Sequence, residues 1–216
     1  MEYHGGGKPK VNEIFENSIR SLSWFPVVRD IAVRNSLGRI WILGGFVYRN
    51  IIKEIYGNPQ LPEPVDVDFL LEKKPVGGDL YLPEEWNPKM TDYGNLGLMM
   101  GNLKISLNYL FNFRSLLTRN LEPTLENLFR TIPLNVQGIV YSLEDRCISG
   151  FRGISAIKRR KVRINNLREA RHEAERLEID LGELVRRKAG ELGFDYDLTL
   201  PPEEDNTPLN PALNEG

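Results

Sequence analysis

The chain is poor in sulfur and imidazole: its 216 residues include one cysteine, Cys147, and two histidines, His4 and His172. A lone cysteine excludes an internal disulfide and points to a reducing compartment. Cys147, in DRCISG, reads most simply as a small buried residue. His4 lies in a Gly- and Lys-rich N-terminal stretch and His172 on a charged helix, so neither reads as a metal ligand or a catalytic base. Long apolar runs are also missing. None approaches the roughly 18 residues of a membrane span, and MEYHGGGKPK lacks the apolar centre of a signal peptide. A cytoplasmic protein without a membrane partner is expected. Net charge is nearly absent too, at −2, yet the charge is patterned. Residues 158–163 read KRRKVR, and the tail from 201 reads PPEEDNTPLNPALNEG.

What is present is an ordinary globular composition, 41% hydrophobic and 27% charged. The length suffices for one sizeable core, or one domain with an appendage. A flexible N-terminus is expected over 1–10. Helical spacing runs from Val11 to about Asn35, with Pro26 dividing it. RIWILGG reads as a short buried strand entering a Gly-Gly turn. FVYRNIIKEIYG reads as a helix closed by Gly57. VDVDFLLE is a second strand, and 73–90 reads as an insertion loop. Strands follow at about 96–100 and 102–109, joined by a tight turn at Gly101-Asn102. EPTLENLFRT is a short helix, VQGIVYSL a fifth strand, and ISAIKRRKVRINN a helix-turn-strand. One long charged helix is expected over 166–192, interrupted at Gly182, and a disordered acidic tail over 201–216. This order lacks strict strand–helix alternation. It implies an α+β domain over 11–165 with a helical appendage over 166–200.

The chemistry concentrates in VDVDFLLE. Side chains alternate along a strand, so Asp66 and Asp68 share a face, roughly 6.5–7 Å apart. Val65, Val67 and Phe69 take the other face. By itself the pair is a weak signal and reads first as two solvated acids on a half-buried strand. As ligands, two such carboxylates suit divalent cations of a phosphoryl-transfer site. Upstream, Gly44-Gly45 ends a buried strand and opens a helix, a turn whose N–H groups suit a triphosphate.

With both features in view, LGGFVYRNIIKEIYG…VDVDF resembles the head domain of bacterial-type poly(A) polymerases and CCA-adding tRNA nucleotidyltransferases. These belong to the DNA polymerase beta-like nucleotidyltransferase superfamily. The family pattern is roughly G-G-x-V-R-D followed by D-x-D-F. FRTIPLNVQGIVYS and SGFRGISAIKRRKVRI are similar, in order and spacing, to its R-R-D-F-T-I-N-A-L-A-Y and D-P-F-G-G-x-x-D-L blocks. KAGELGFDYDLTL is similar to the stretch that follows its neck helices. The resemblance spans about residues 38–200. It implies a head with a mixed, mostly antiparallel sheet flanked by helices, followed by a neck-like segment.

The resemblance implies a metal-dependent nucleotidyltransferase. It would use Mg2+ or Mn2+, take an NTP as substrate and act on an RNA or tRNA-like 3′ end. Asp66 and Asp68 would be the catalytic metal ligands. Gly44, Gly45, Arg49, Arg130 and Asn135 would contact nucleotide. Lys158, Arg159, Arg160 and Lys161 form a basic cluster that suits an RNA backbone or a solvated helix end. Tyr141 and Phe151 beside it read as core residues. The departures from the pattern are specific. Tyr48 stands at the family's arginine position and Arg49 at its aspartate. Phe129, Arg130 and Thr131 replace Arg-Arg-Asp. The base-selecting E-D-x-x-R has no clean counterpart, EIDLGELVRR being the nearest stretch. The third carboxylate expected on NLKISLNYL is absent, Lys104 standing near its place and Asp92 being the nearest acid. The alternatives are therefore a catalytically degenerate nucleotide- or RNA-binding module, or transfer to a protein or a small molecule.

Overall fold

The computed structural model describes residues 11–57, 66–75, 77, 80–90 and 95–202. The flexible N-terminus expected over 1–10, most of the tail expected over 201–216, and Asp92 lie outside the described residues. Helices α1 (Val11–Arg20) and α2 (Phe25–Arg34) open the chain. Pro26 sits in the first turn of α2, where a missing N–H costs no helical bond, so it starts a helix as well as separating two. Strand β1 (Ile40–Leu43) is buried along its whole length. Helix α3 (Gly45–Tyr56) ends at Gly57, which takes the left-handed conformation and donates its N–H to the Lys53 carbonyl.

Strands β2 (Asp66–Leu71), β3 (Asn87–Met90), β4 (Leu96–Met100) and β5 (Leu103–Tyr109) follow. Next come the short helices α4 (Arg114–Leu117) and α5 (Leu125–Thr131), then β6 (Val140–Ser142) and β7 (Cys147–Ser149). Helix α6 (Phe151–Arg159), β8 (Lys161–Arg163), α7 (Leu167–Arg176), α8 (Leu181–Leu192) and β9 (Asp195–Asp197) complete the described chain. The main sheet has seven strands in the order β3-β4-β5-β2-β1-β6-β7. Its pairings are antiparallel except β2 with β5. Strands β8 and β9 form a separate parallel pair. The α+β class and the mostly antiparallel sheet are as expected.

The two faces of the sheet are unequal. Ile42, Val67, Phe69, Ile105 and Leu107 face the larger core, filled by residues from α1, α2, α3, α6 and α8. Trp41, Leu43, Leu70 and Val140 face a smaller core with Leu116 of α4 and Leu128 of α5. That smaller core covers Leu70 but not the start of β2, where Asp66 and Asp68 lie on the same face by strand alternation.

Several expectations are corrected. The loop expected over 73–90 contains β3, an edge strand exposed at every residue. It is held by its backbone ladder to β4 and buries nothing, so no apolar alternation marks it. The single helix expected over 166–192 is two, broken over 177–180 rather than at Gly182. Asp180 caps α8 by accepting from the Glu183 N–H, and the glycine lies inside the helix. Phe151 is 83% exposed, not core. The buried stripe of α6 is Gly153, Ala156 and Ile157, and two residues earlier the helix has turned away. Cys147 is only partly buried, because β7 is an edge strand. Tyr141 is buried as expected.

Gly153, one of the few residues kept from the family's second block, marks a close approach. Its N–H donates to the Gly138 carbonyl at 3.2 Å. A Cβ there would lie 2.7 Å from that oxygen and 2.8 Å from the Ile139 Cβ. The first of these is backbone and cannot turn aside. Gly153→Ala is therefore expected to cost roughly 1–3 kcal/mol through overpacking, lowering Tm by about 2–12 °C in a chain of this size. An unchanged melting curve would mean that α6 rides outward without penalty.

Candidate functional site

Strand β2 is flanked by β1 and β5, and Val67, Phe69 and Leu71 are fully buried. Burial of the odd residues turns Asp66 and Asp68 to the other face, both partly exposed. The parallel ladder sets Asp66 opposite Lys104 and Asp68 opposite Ser106. Lys104 Nζ lies 2.9 Å from Asp66 Oδ2. The other oxygen, Asp66 Oδ1, is buried with no hydrogen-bond partner. Burial, followed by the charge of Asp66, pushes the Asp68 carboxyl up to about 6, against a hydrogen bond from Ser106 and the charges of Lys104 and Arg49.

The glycine turn adjoins this pair. Leu43 pairs with Asp68 in the antiparallel ladder, so continuing the register brings Gly44-Gly45 beside the Asp66 end of β2. Gly44 has φ +58°, and among the described residues none beyond its chain neighbours comes within 4 Å of where its Cβ would be. Its N–H is spent on the Ile139 carbonyl at 3.1 Å. The amides left to face a ligand are therefore those of Gly45, Phe46 and Val47, which lack a helical partner by their place in the first turn.

Helix α8 closes one side. Arg49 holds Glu191 at 2.6 Å, and Lys188 holds the same carboxylate at 2.6 Å. Lys188 also donates to the Tyr48 hydroxyl at 3.4 Å. Burial works to raise the Glu191 carboxyl, but Lys188 and Arg49 outweigh it and keep it below the usual glutamate range. Glu191 and Lys188 were not singled out from the sequence. Their i,i+3 spacing is visible there, but it does not tell which helix they meet. Arg49 is thus fixed by the appendage, and its charge is felt at Asp68.

Among the described residues, no hydrogen bond or ion pair joins the remaining candidates to the carboxylates. Arg130 pairs with Glu126 on the surface of α5. The buried Asn135 accepts from the N–H groups of Val136 and Arg163 and donates to the Lys161 carbonyl, tying a turn to β8. In the basic cluster, Lys158 and Arg159 are exposed. Arg160 lies over the Tyr56 ring at 5.1 Å and donates to the Gly193 carbonyl. Lys161 pairs loosely with Asp197 at 3.7 Å. Arginine is instead concentrated in a cavity of about 860 Å³ lined by Arg114, Arg119, Arg152, Arg163, Arg168 and Arg171. Composition did not reveal it, because these residues come from four separate elements and the turn after α4.

Among the described residues no group of three or more His, Cys, Asp or Glu side chains converges as a metal cluster. The donor set is two carboxylates and the Ser106 hydroxyl, all hard oxygens. The partnerless Asp66 Oδ1 and the adjacent like charges fit a divalent cation, which would satisfy both at once.

No family model and no curated protein matches the chain. Its fold is similar to that of solved structures. One described as a tRNA-processing enzyme complex matches with TM-score 0.51 and 20% identity, over 74% of this chain and 40% of that one. The apo form of a tRNA-processing enzyme matches with TM-score 0.50 and 20% identity, over 88% and 46%. A CCA-adding enzyme with CTP is a weaker match, TM-score 0.48 and 14% identity over 82% and 46%. The chain spans less than half the length of these structures. At such identity the likeness carries the fold alone, and the fold is the one that the head-domain resemblance implied.

The raised Asp68 carboxyl has a consequence for stability. Because its folded value of about 6 lies above the ordinary 3.8, its favourable contribution is complete below about pH 4 and is lost as the pH rises through 6. Without divalent ions at pH 7.5, Asp68→Asn is expected to raise Tm by a few degrees, on the scale of roughly 2–4 °C per kcal/mol. The gain should shrink as the pH falls and vanish only below about pH 4. A variant less stable at both pH values would show that the carboxylate is not under charge strain.

Proposed function

We propose that the chain is a metal-dependent nucleotidyltransferase, moving a nucleotide from an NTP to the hydroxyl of an RNA 3′ end. The observation that carries this reading is the pair Asp66 and Asp68, side by side on a partly exposed face, with the Gly44-Gly45 turn next to them. Mg2+ or Mn2+ held by those two carboxylates would supply charge neutralisation at the reacting phosphates. The first-turn amides of α3 bind the triphosphate, and the open space over Gly44 admits it without a side chain in the way. Arg49, braced by Glu191, adds a fixed positive charge beside the same phosphates. The acceptor oxygen bonds to the α-phosphorus as the α–β anhydride bond breaks. Pyrophosphate leaves with the electron pair, and the hydroxyl proton passes to solvent.

RNA is the acceptor favoured by two observations. The better fold matches are described as tRNA-processing enzymes. The arginine-rich cavity, together with the exposed Lys158 and Arg159, offers positive charge to a phosphate backbone. A second reading, a catalytically degenerate nucleotide- or RNA-binding module, is favoured by Lys104 at the place of the expected third acid.

The test is incubation with Mg2+ or Mn2+, each labelled NTP in turn, and an RNA with a free 3′ hydroxyl. Label should enter the RNA with stoichiometric pyrophosphate. Asp66→Ala or Asp68→Ala should each reduce the rate about a thousand-fold, the equivalent of several kcal/mol. Transfer that survives both substitutions would sink the mechanism. Nucleotide binding without any transfer would select the second reading.

A further inference from the structure

On the face of β5 turned toward the aspartates stand Lys104, Ser106 and Asn108, and none is an acid. Lys104 is the direct register partner of Asp66, so the backbone ladder, not a chance rotamer, brings its ammonium to Asp66 Oδ2. With 47% and 41% of the two side chains exposed, the ion pair adds little to stability. Its effect on the charge of the site is larger. Two divalent ions about 3.5–4 Å apart require several anionic oxygens between and around them. Here two carboxylates face one ammonium already in contact, with Arg49 close by and no third acid converging among the described residues. The ammonium occupies one lobe of Asp66. The other lobe, Oδ1, is left buried and partnerless on the same carboxylate.

We infer that the pair takes one divalent cation rather than two, and that the Lys104 ammonium occupies the place of the second, holding Asp66 Oδ2 and facing the nucleotide phosphates. This rests on the nucleotidyltransferase reading for the identity of the ligand. One divalent ion and one fixed ammonium neutralise a triphosphate less completely than two ions do, but the ammonium needs no free metal to be present. A cation in permanent contact with Asp66 also competes with the divalent ion for that carboxylate. Lys104 therefore sets both the number of ions bound and how tightly they are held.

The experiment is Mn2+ titration of the full chain, followed by electron paramagnetic resonance, in the presence of a non-hydrolysable ATP analogue. The wild-type chain should bind one Mn2+ with the spectrum of an isolated ion. Lys104→Gln should still bind one, several-fold more tightly, because the competing cation is gone. Lys104→Asp should bind two and show the broadened spectrum of a spin-coupled pair. The exposed position of Lys104 makes both variants compatible with folding, and circular dichroism checks this. Two coupled ions in the wild type, no ion at all, or an affinity indifferent to Lys104→Gln would each overturn the inference. One ion with the predicted response to Lys104, but no nucleotide transfer to RNA, would instead overturn the enzymatic reading and leave the ion count standing.

Discussion

The alternation of β2 is the constraint on which the rest depends. Val67, Phe69 and Leu71 are fully buried between neighbouring strands, and a slip of one residue would carry them to the opposite face. Burial of these three thus fixes where Asp66 and Asp68 point. Two like charges side by side on a strand are unfavourable in themselves, and the fold accepts that cost. One carboxylate is answered by Lys104, while the other is pushed up by burial and by its neighbour.

The C-terminal helices belong to the same construction. Glu191 is shared by Lys188 of its own helix and Arg49 of α3, so docking of α8 sets the position of a cation beside the aspartates. At the same C-terminal end of α8, Arg160 lies near the Tyr56 and Phe194 rings and donates to the Gly193 carbonyl. Residues that read as a basic patch are in part structural ties. The arginines of α4, α6, β8 and α7 meet in the cavity instead. Charge that is contiguous in sequence and charge that is contiguous in space are different quantities here.

Much of the fold was legible because its signals are local. The helix closed by Gly57 and the turn at Gly101 each rest on neighbours a few residues apart. The misses share a cause. β3 is exposed throughout and held only by its partner, and the division of the last helix lies in the cap supplied by Asp180. Phe151 was misplaced because apolarity alone does not say which side of a helix faces the core. For the candidate site, the aspartates and glycines were found from strand and turn patterns. Glu191 and Lys188 were missed because their role exists only across a helix–helix contact.

The sequence by itself determined that Asp66 and Asp68 share one face of a strand, and that a Gly-Gly turn opens the helix before it. Both follow from periodicities of two or three residues and from the conformational freedom of glycine. Only the tertiary structure decided what stands opposite those carboxylates. The parallel pairing of β2 with β5 joins residues 38 apart and places a lysine, not an acid, against Asp66. No local pattern specifies that register, because it is set by how two buried strands share one core.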